Sequence, residues 1–163
     1  MAASLLTPPV PPLTPYPGTP VSLYPLIAFP ARQGRHPAAK VVLDTDVLID
    51  LLRGREAARS FLQEVADRYV PCCSVISVAE LYAGMRPEEE AGTQTFLDGL
   101  VILPVTHEIA EAAGRFKKRS TSRRLELAVC LISATALVEG ATLATGNVKD
   151  YPMQEITVLN ARR

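Results

Sequence analysis

The sequence predicts an α/β domain in which helices cover both faces of a central parallel sheet of about five strands. Short apolar and β-branched runs recur along the chain, and stretches with apolar residues at spacings of three and four lie between them. This alternation is typical of strand–helix–strand units, which bury a parallel sheet between helices. A sharp change of composition near residue 40 indicates where the domain begins.

Residues 1–39 are predicted to form a proline-rich, disordered extension, and residues 40–163 the folded domain. Ten of the 14 prolines lie in the first 40 residues, whereas none of the 17 acidic residues does. Proline lacks a backbone N–H and pushes the residue before it toward extended conformations, so this segment is not expected to pack.

Five strands are predicted from the apolar runs, and helical spacing is found in the segments between them. The predicted strands are 41–43, 69–71, 101–103, 141–143 and 156–159. Helices are expected over 47–52, 61–65, 77–85, 109–116 and 127–138. No apolar run approaches the roughly 20 residues that a membrane span needs. The three cysteines have neither disulfide nor zinc spacing and are expected to be reduced core residues.

Polar residues follow the first, second and fourth predicted strands. Taken singly, each has an ordinary explanation, because acids favour helix starts, and Asn and Asp favour turns. However, the carboxyl ends of parallel strands meet at one edge of a sheet, so we expect four of these side chains to converge. They are Asp44, Glu80, Asn147 and Asp150.

An all-oxygen set of this kind suits Mg²⁺ or Mn²⁺ better than zinc. Two carboxylates 4 Å apart repel by roughly 4 kcal/mol at an effective dielectric of 20, and a cation would relieve that repulsion. The sequence therefore predicts a divalent-metal site at this edge of the sheet.

Three sequence blocks resemble the signature blocks of PIN domains, most closely those of VapC-type toxins from bacterial toxin–antitoxin pairs. They are VVLDTDVLIDLLRG, SVISVAELYAGMR and LISATALVEGATLATGNVKDYP, in this order. The resemblance covers residues 40–160 and implies a three-layer α/β/α PIN-like fold. It also implies a cytoplasmic endoribonuclease that depends on Mg²⁺ or Mn²⁺ and cleaves the RNA phosphodiester bond.

The resemblance implies roles for individual residues and for partners. Asp44, Glu80 and Asp150 are the implied catalytic acids, and with Asn147 they are the implied metal ligands. Thr45, Asp46 and Thr145 are expected to contact these ligands and orient them without binding the metal themselves. The implied partners are an RNA substrate and a VapB-type antitoxin. The protein is expected to form a homodimer or a toxin–antitoxin hetero-oligomer, and no interaction with a membrane is expected.

The match fails at one position of the third block. Similar sequences carry an aspartate three residues before the isoleucine that matches Ile132, and here that position is Val129. Valine cannot ligate a metal, so we expect a weakened site. Glu126 lies one helical turn earlier and is a less favoured substitute.

The resemblance also bears on the start of the chain. Related chains begin a residue or two before the first strand, and Ala39 stands where an initiator methionine would be expected. We therefore expect the native protein to start near residue 40, and peptides from residues 1–35 in a digest of the native protein would contradict this.

Other interpretations of the sequence stay open. Arg123 and Arg124 end the densest basic stretch, which is either a solvated helix end or a contact for the RNA backbone. Asp44-Thr45-Asp46 also fits the start of a haloacid-dehalogenase-type phosphohydrolase. A further alternative is a catalytically inactive PIN domain that only binds RNA or antitoxin.

Overall fold

The structure is a computed structural model, and it describes residues 39–120 and 125–162. Its sheet has five parallel strands in the order β3-β2-β1-β4-β5. The strands are β1 (Ala39–Leu43), β2 (Tyr69–Ser74), β3 (Val101–Leu103), β4 (Thr142–Thr145) and β5 (Val158–Asn160). The strand order reverses at β1, so the crevice between β1 and β4 is the place where such a sheet binds ligands.

Six helices of the described ranges connect these strands. They are α1 (Thr45–Leu52), α2 (Glu56–Ala66), α3 (Val75–Gly84), α4 (Glu90–Leu97), α5 (His107–Arg119) and α6 (Leu127–Val138). Two 3₁₀ turns, Pro87–Glu89 and Val148–Asp150, complete the order. In these ranges no helix is long and apolar enough to cross a bilayer.

Apolar side chains pack on both faces of the sheet, which gives the predicted three layers. On one face α1, α2 and α4 bury residues such as Leu48, Leu62 and Phe96 against β1. On the other face α6 buries Ile132 and Ala136 against the opposite side chains of β1 and β4. The central strands β1, β2 and β4 are largely buried because helices cover both faces of the sheet there, as is usual for parallel sheets, whereas Val101 and Ile102 of β3 are exposed.

The predicted strands all exist, with ends that differ by a few residues. Strand β1 begins at Ala39, one residue before the predicted domain boundary. Strand β2 continues past Pro71 to Ser74. Its pairing with β3 begins only at Cys72, so at Pro71 the strand is paired with β1 alone, an edge position that tolerates the missing N–H of proline. Helix α4 was not among the predicted elements.

Two of the sequence predictions concern residues beyond the described ranges. The extension predicted for residues 1–39 lies outside them except for Ala39, and Arg123 and Arg124 lie outside them altogether. All three cysteines are buried and free, as expected. Burial raises the pKa of Cys72 to about 11 and that of Cys73 to about 12, so both stay thiols at neutral pH.

Candidate active site

Asp44 lies at the carboxyl end of β1, at the reversal of strand order, and it caps helix α1. Its backbone N–H donates to the Ala144 carbonyl of β4 (2.9 Å), so the sheet continues up to this residue. The carboxylate Oδ1 accepts from the backbone N–H of Thr45 (2.7 Å), which satisfies one of the free donors at the start of α1. The residue is only 7% exposed, so the fold places a carboxylate in a nearly dry position.

Hydroxyl groups hold the other side of the Asp44 carboxylate. Thr145 Oγ1, at the end of β4, donates to Oδ2 over 2.7 Å. The buried Tyr151 side chain also donates a hydrogen bond to Asp44. These neutral donors orient the carboxylate without neutralising its charge.

Burial raises the pKa of Asp44 above its ordinary value, and the nearby negative charge of Glu80 adds to that rise. The bonds from Thr145, Tyr151 and the Thr45 backbone oppose it. Burial, followed by the charge of Asp44, also raises the pKa of Asp46. The pKa of Tyr151 is raised as well, first by burial and then by the charge of Asp44, so its hydroxyl stays protonated.

Glu80 is joined to Asp44 through Thr45. Thr45 Oγ1 donates to Glu80 Oε2 over 2.5 Å, while the backbone of the same threonine donates to Asp44. Glu80 projects from the middle of α3 and is half-buried. One turn earlier, the hydroxyl of fully buried Ser77 has no hydrogen-bond partner in the described ranges. The end of β1 and the helix that follows β2 thus bring the carboxylates of Asp44 and Glu80 to either side of Thr45.

Asn147 and Asp150 belong to the same edge of the sheet but are exposed. The Asn147 side-chain amide donates to Asp150, and the Asn147 backbone N–H donates to Thr145 Oγ1 (3.0 Å). Asn147 therefore contacts the Asp44 carboxylate indirectly, through the hydroxyl of Thr145. The four predicted ligands form two pairs that Thr145 connects.

Val129 lies in the first turn of α6 and is half-buried. It packs against the apolar cluster that contains Tyr151, the residue that donates to Asp44, and Ile76 packs on the same cluster. The position predicted to have lost an aspartate therefore forms apolar packing beside the acidic site. Glu126, the substitute considered above, is exposed at the start of the helix.

The donor chemistry of the site fits a divalent cation held by few protein ligands. Asp44 and Glu80 supply carboxylate oxygens, and Mg²⁺ is often bound by one or two carboxylates with water and substrate phosphates completing its shell. Within the described ranges no three Asp, Glu, His or Cys side chains form a group that could hold a metal. Asp44 and Glu80 are therefore the two carboxylates that the fold brings together in a way that suits such a cation.

Several residues of the site were not predicted. Tyr151 donates to Asp44, and Arg162 pairs with Asp46 and with the buried Asp50. Asp46 in turn accepts from the Gly146 backbone N–H. The signal for Tyr151 was its place directly after Asp150 in the third sequence block. No local pattern pointed to Arg162, which is 112 residues from Asp50.

Comparison with known proteins places this site in a family. The PIN domain family model matches residues 41–150. The chain is 39% identical to ribonuclease VapC10 of Mycobacterium tuberculosis over 117 residues, which are 71% of this chain and 88% of that protein. It is 36% identical to ribonuclease VapC19 of the same organism over 115 residues, 69% of this chain and 92% of that protein.

Solved structures agree with this assignment. A toxin–antitoxin complex from Klebsiella pneumoniae superposes with a TM-score of 0.64 at 26% identity, over 75% of this chain and 98% of that chain. FitAcB from Neisseria gonorrhoeae has the same fold, with a TM-score of 0.63 at 23% identity, over 74% of this chain and 97% of that chain. The chain belongs to the PIN-domain family. Within that family its curated relatives are the ribonucleases VapC10 and VapC19, and the phosphohydrolase alternative is not favoured.

Proposed function

We propose that this protein is an endoribonuclease toxin that needs a divalent cation, Mg²⁺ or Mn²⁺, and that Val129 weakens its metal site. The observation that carries the proposal is the Asp44–Thr45–Glu80 linkage, which joins the buried Asp44 to the half-buried Glu80 at the switch point of the sheet. The ribonuclease names of its relatives support the substrate class.

Asp44 and Glu80 are the residues that would hold the cation, and Asn147 and Asp150 would contribute from the exposed side. When bound, such a cation supplies charge stabilisation at the phosphate and lowers the pKa of bound water. Thr145, Tyr151 and the Thr45 backbone fix the Asp44 carboxylate, so no reorganisation of that group is needed when substrate arrives. The hydroxyl of Thr45 orients Glu80 in the same way.

The partners belong to the same proposal. A VapB-type antitoxin would block the acidic site, because an arginine can pair with carboxylates such as Asp44 and Glu80 in place of a metal. The similarity to ribonuclease VapC10 and to a toxin–antitoxin complex supports this partner. We further propose a homodimer or a toxin–antitoxin hetero-oligomer in the cytoplasm, with Arg123 and Arg124 contacting the RNA backbone.

The test is a cleavage assay on a mixed-sequence RNA, with Mn²⁺ titrated against an EDTA blank. Wild type is compared with Val129→Asp, which restores the expected acid, and with Asp44→Asn, which removes the central one. A carboxylate at 4 Å attracts a unit positive charge by roughly 4 kcal/mol at an effective dielectric of 20. Desolvation offsets part of that attraction. We therefore expect Val129→Asp to lower the Mn²⁺ concentration for half-maximal cleavage by about a hundredfold.

Three outcomes separate the parts of this proposal. Loss of cleavage in Asp44→Asn, with a gain in Val129→Asp, supports both the site and the weakening by Val129. Equal metal dependence of wild type and Val129→Asp would show that Val129 does not weaken the site. Absence of cleavage in both proteins would overturn the assignment as a nuclease.

A further inference from the structure

Arg162 follows β5 and contacts two acids of helix α1. Its guanidinium lies against Asp50 Oδ2, with Nη2 at 3.2 Å and Nε at 3.3 Å. The same Nη2 is 3.5 Å from Asp46 Oδ2. The Asp50 side chain is only 11% exposed, so this ion pair is anchored on a buried partner and Arg162 is held in place beside Asp46.

Asp46 connects this arginine to the segment that follows β4. Its carboxylate oxygens accept from the Gly146 backbone N–H at 3.3 Å and 3.1 Å. The three residues touch so closely that a Cβ at Gly146 would lie 2.5 Å from Arg162 Nε and 2.7 Å from Asp46 Oδ2. Only glycine fits here without displacing the ion pair.

Gly146 stands between Thr145, which contacts the Asp44 carboxylate, and Asn147, which contacts the Thr145 hydroxyl. Thr145 Oγ1 donates to Asp44 Oδ2 and accepts from the Asn147 backbone N–H. A shift of the Gly146 backbone would therefore move both Thr145 and Asn147 and disturb these two hydrogen bonds. A continuous set of contacts runs from Arg162 through Asp46 and Gly146 to the candidate catalytic carboxylate.

We infer that Arg162 is a positioning residue of the active site, which holds Asp46 against Gly146 and thereby keeps Thr145 and Asn147 aligned on Asp44. This inference rests on the proposed function, because alignment of Asp44 matters most when that carboxylate binds a cation. Outer contacts of this kind orient first ligands and change metal affinity when they are lost.

Arg55 offers a matched control within the same cluster. Its Nε lies 3.2 Å from Asp50 Oδ1, and its side chain is 55% exposed against 50% for Arg162. Arg55 thus has the same charge, a similar exposure and the same buried partner. Within the described ranges it forms no ion pair with Asp46. Replacing either arginine removes one positive charge and one ion pair to Asp50, and only Arg162 supports Asp46.

The experiment compares Arg162→Gln with Arg55→Gln in the full chain, using two readouts that do not require catalysis. Hydrogen exchange is followed on peptides that cover residues 142–150, and Mn²⁺ affinity is measured from the EPR signal of the free ion. We expect Arg162→Gln to speed exchange at Gly146 and Asn147 by roughly tenfold, because the loop loses its outer support. Mn²⁺ affinity should fall by about tenfold as well. Arg55→Gln should leave both readouts as in wild type.

Equal behaviour of the two glutamine variants would overturn the inference, as would faster exchange in Arg162→Gln with unchanged Mn²⁺ affinity. If Arg162→Gln fails to fold, Gly146→Ala provides the second test, because its Cβ displaces Arg162 and Asp46 without removing a charge. The same changes in exchange and affinity are expected there. Failure of wild type to bind Mn²⁺ would contradict the proposed metal site, while the exchange comparison would still decide the role of Arg162.

Discussion

At the scale of single residues, the fold stabilises the ionised form of Asp44 less than solvent does. Burial raises the pKa of this carboxyl, and the three donors around it only partly compensate. A site that binds a cation needs such an uncompensated negative charge, because its attraction for the cation must exceed the free energy of hydration that the cation loses on binding. Function at Asp44 is therefore expected to cost stability when no cation is bound.

Asp44→Asn should stabilise the metal-free protein at neutral pH. The folded pKa of Asp44 lies above its unfolded value, so the folded state binds the proton more tightly, and stability falls as pH rises between those two values. Asparagine does not titrate and can keep the bonds to Thr145 and Tyr151, because hydroxyls both donate and accept. Urea unfolding in EDTA at pH 7 should show a gain on the order of 1 kcal/mol.

The pH series provides the control for this prediction. The advantage of Asp44→Asn should shrink as the pH falls toward the ordinary aspartate value of 3.8, where wild-type Asp44 becomes protonated too. Burial raises the pKa of Asp46 in both proteins, whereas the charge of Asp44 adds to that rise only in wild type, so Asp44→Asn should also lessen the pH dependence that Asp46 contributes. A variant no more stable than wild type at pH 7 would contradict the idea that Asp44 is held at a cost.

At the scale of the elements, the sequence pattern identified the strands more reliably than their ends or partners. The runs around Val42 and Leu143 are apolar because helices cover both faces of the sheet, and such runs are visible locally. Helix α4 was missed because Gly92, Thr93 and Thr95 have low helix propensity and interrupt the apolar spacing. Its formation depends on Phe96 and Leu97, which are buried against α1 and α3.

The same limit applies to the site. Asp44 and Thr45 could be predicted because they directly follow a strand and start a helix, and Glu80 because it lies on the helix that follows the second strand. Arg162 could not, because its partners Asp46 and Asp50 are more than a hundred residues earlier. A contact across that separation is set by the packing of β5 beside β4, which no local pattern encodes.

Two glycines at helices should respond in opposite directions to alanine. Gly140 lies in the short segment between α6 and β4 and has a φ of +58°. Alanine in this left-handed conformation should lower the free energy of unfolding by about 1 kcal/mol. Gly114 lies inside α5 with open space around a new Cβ, so alanine there should add about 1 kcal/mol through helix propensity. Urea unfolding measures both. Equal signs for the two changes would contradict this account of how α6 is joined to β4.

At the scale of the whole molecule, charge is distributed unevenly along the chain. All 17 acidic residues lie beyond residue 40, whereas three of the 17 basic residues lie within the first 40. The folded domain therefore carries a small excess of negative charge, which repels RNA at long range. Binding of RNA by such a domain requires a local basic surface, and the densest basic stretch of the sequence is 115–124, which begins in the last turns of α5.

The salt dependence of RNA binding should identify that surface. Each phosphate contact that is lost lowers the slope of log K against log salt by about 1, or somewhat less for single strands. We expect the double change Arg123→Gln and Arg124→Gln to reduce the slope by roughly two contacts. Binding would be measured with catalytically silent Asp44→Asn protein in EDTA, so that cleavage does not interfere. Lys118, exposed near the end of α5, can be added as a third change if the first two are additive.

Arg68 is the matched control, because it precedes β2 and therefore lies at the opposite edge of the sheet from Asp44. It is exposed, and replacing it by glutamine removes the same kind of charge. Arg68→Gln should shift affinity slightly through net charge and leave the slope as it was. If the slope of the double variant equals that of Arg68→Gln, the basic stretch is a solvated helix end and RNA is held elsewhere on the domain. A reduced slope confined to the double variant would place the RNA backbone beside residues 121–124, which precede α6 and Val129 in the chain.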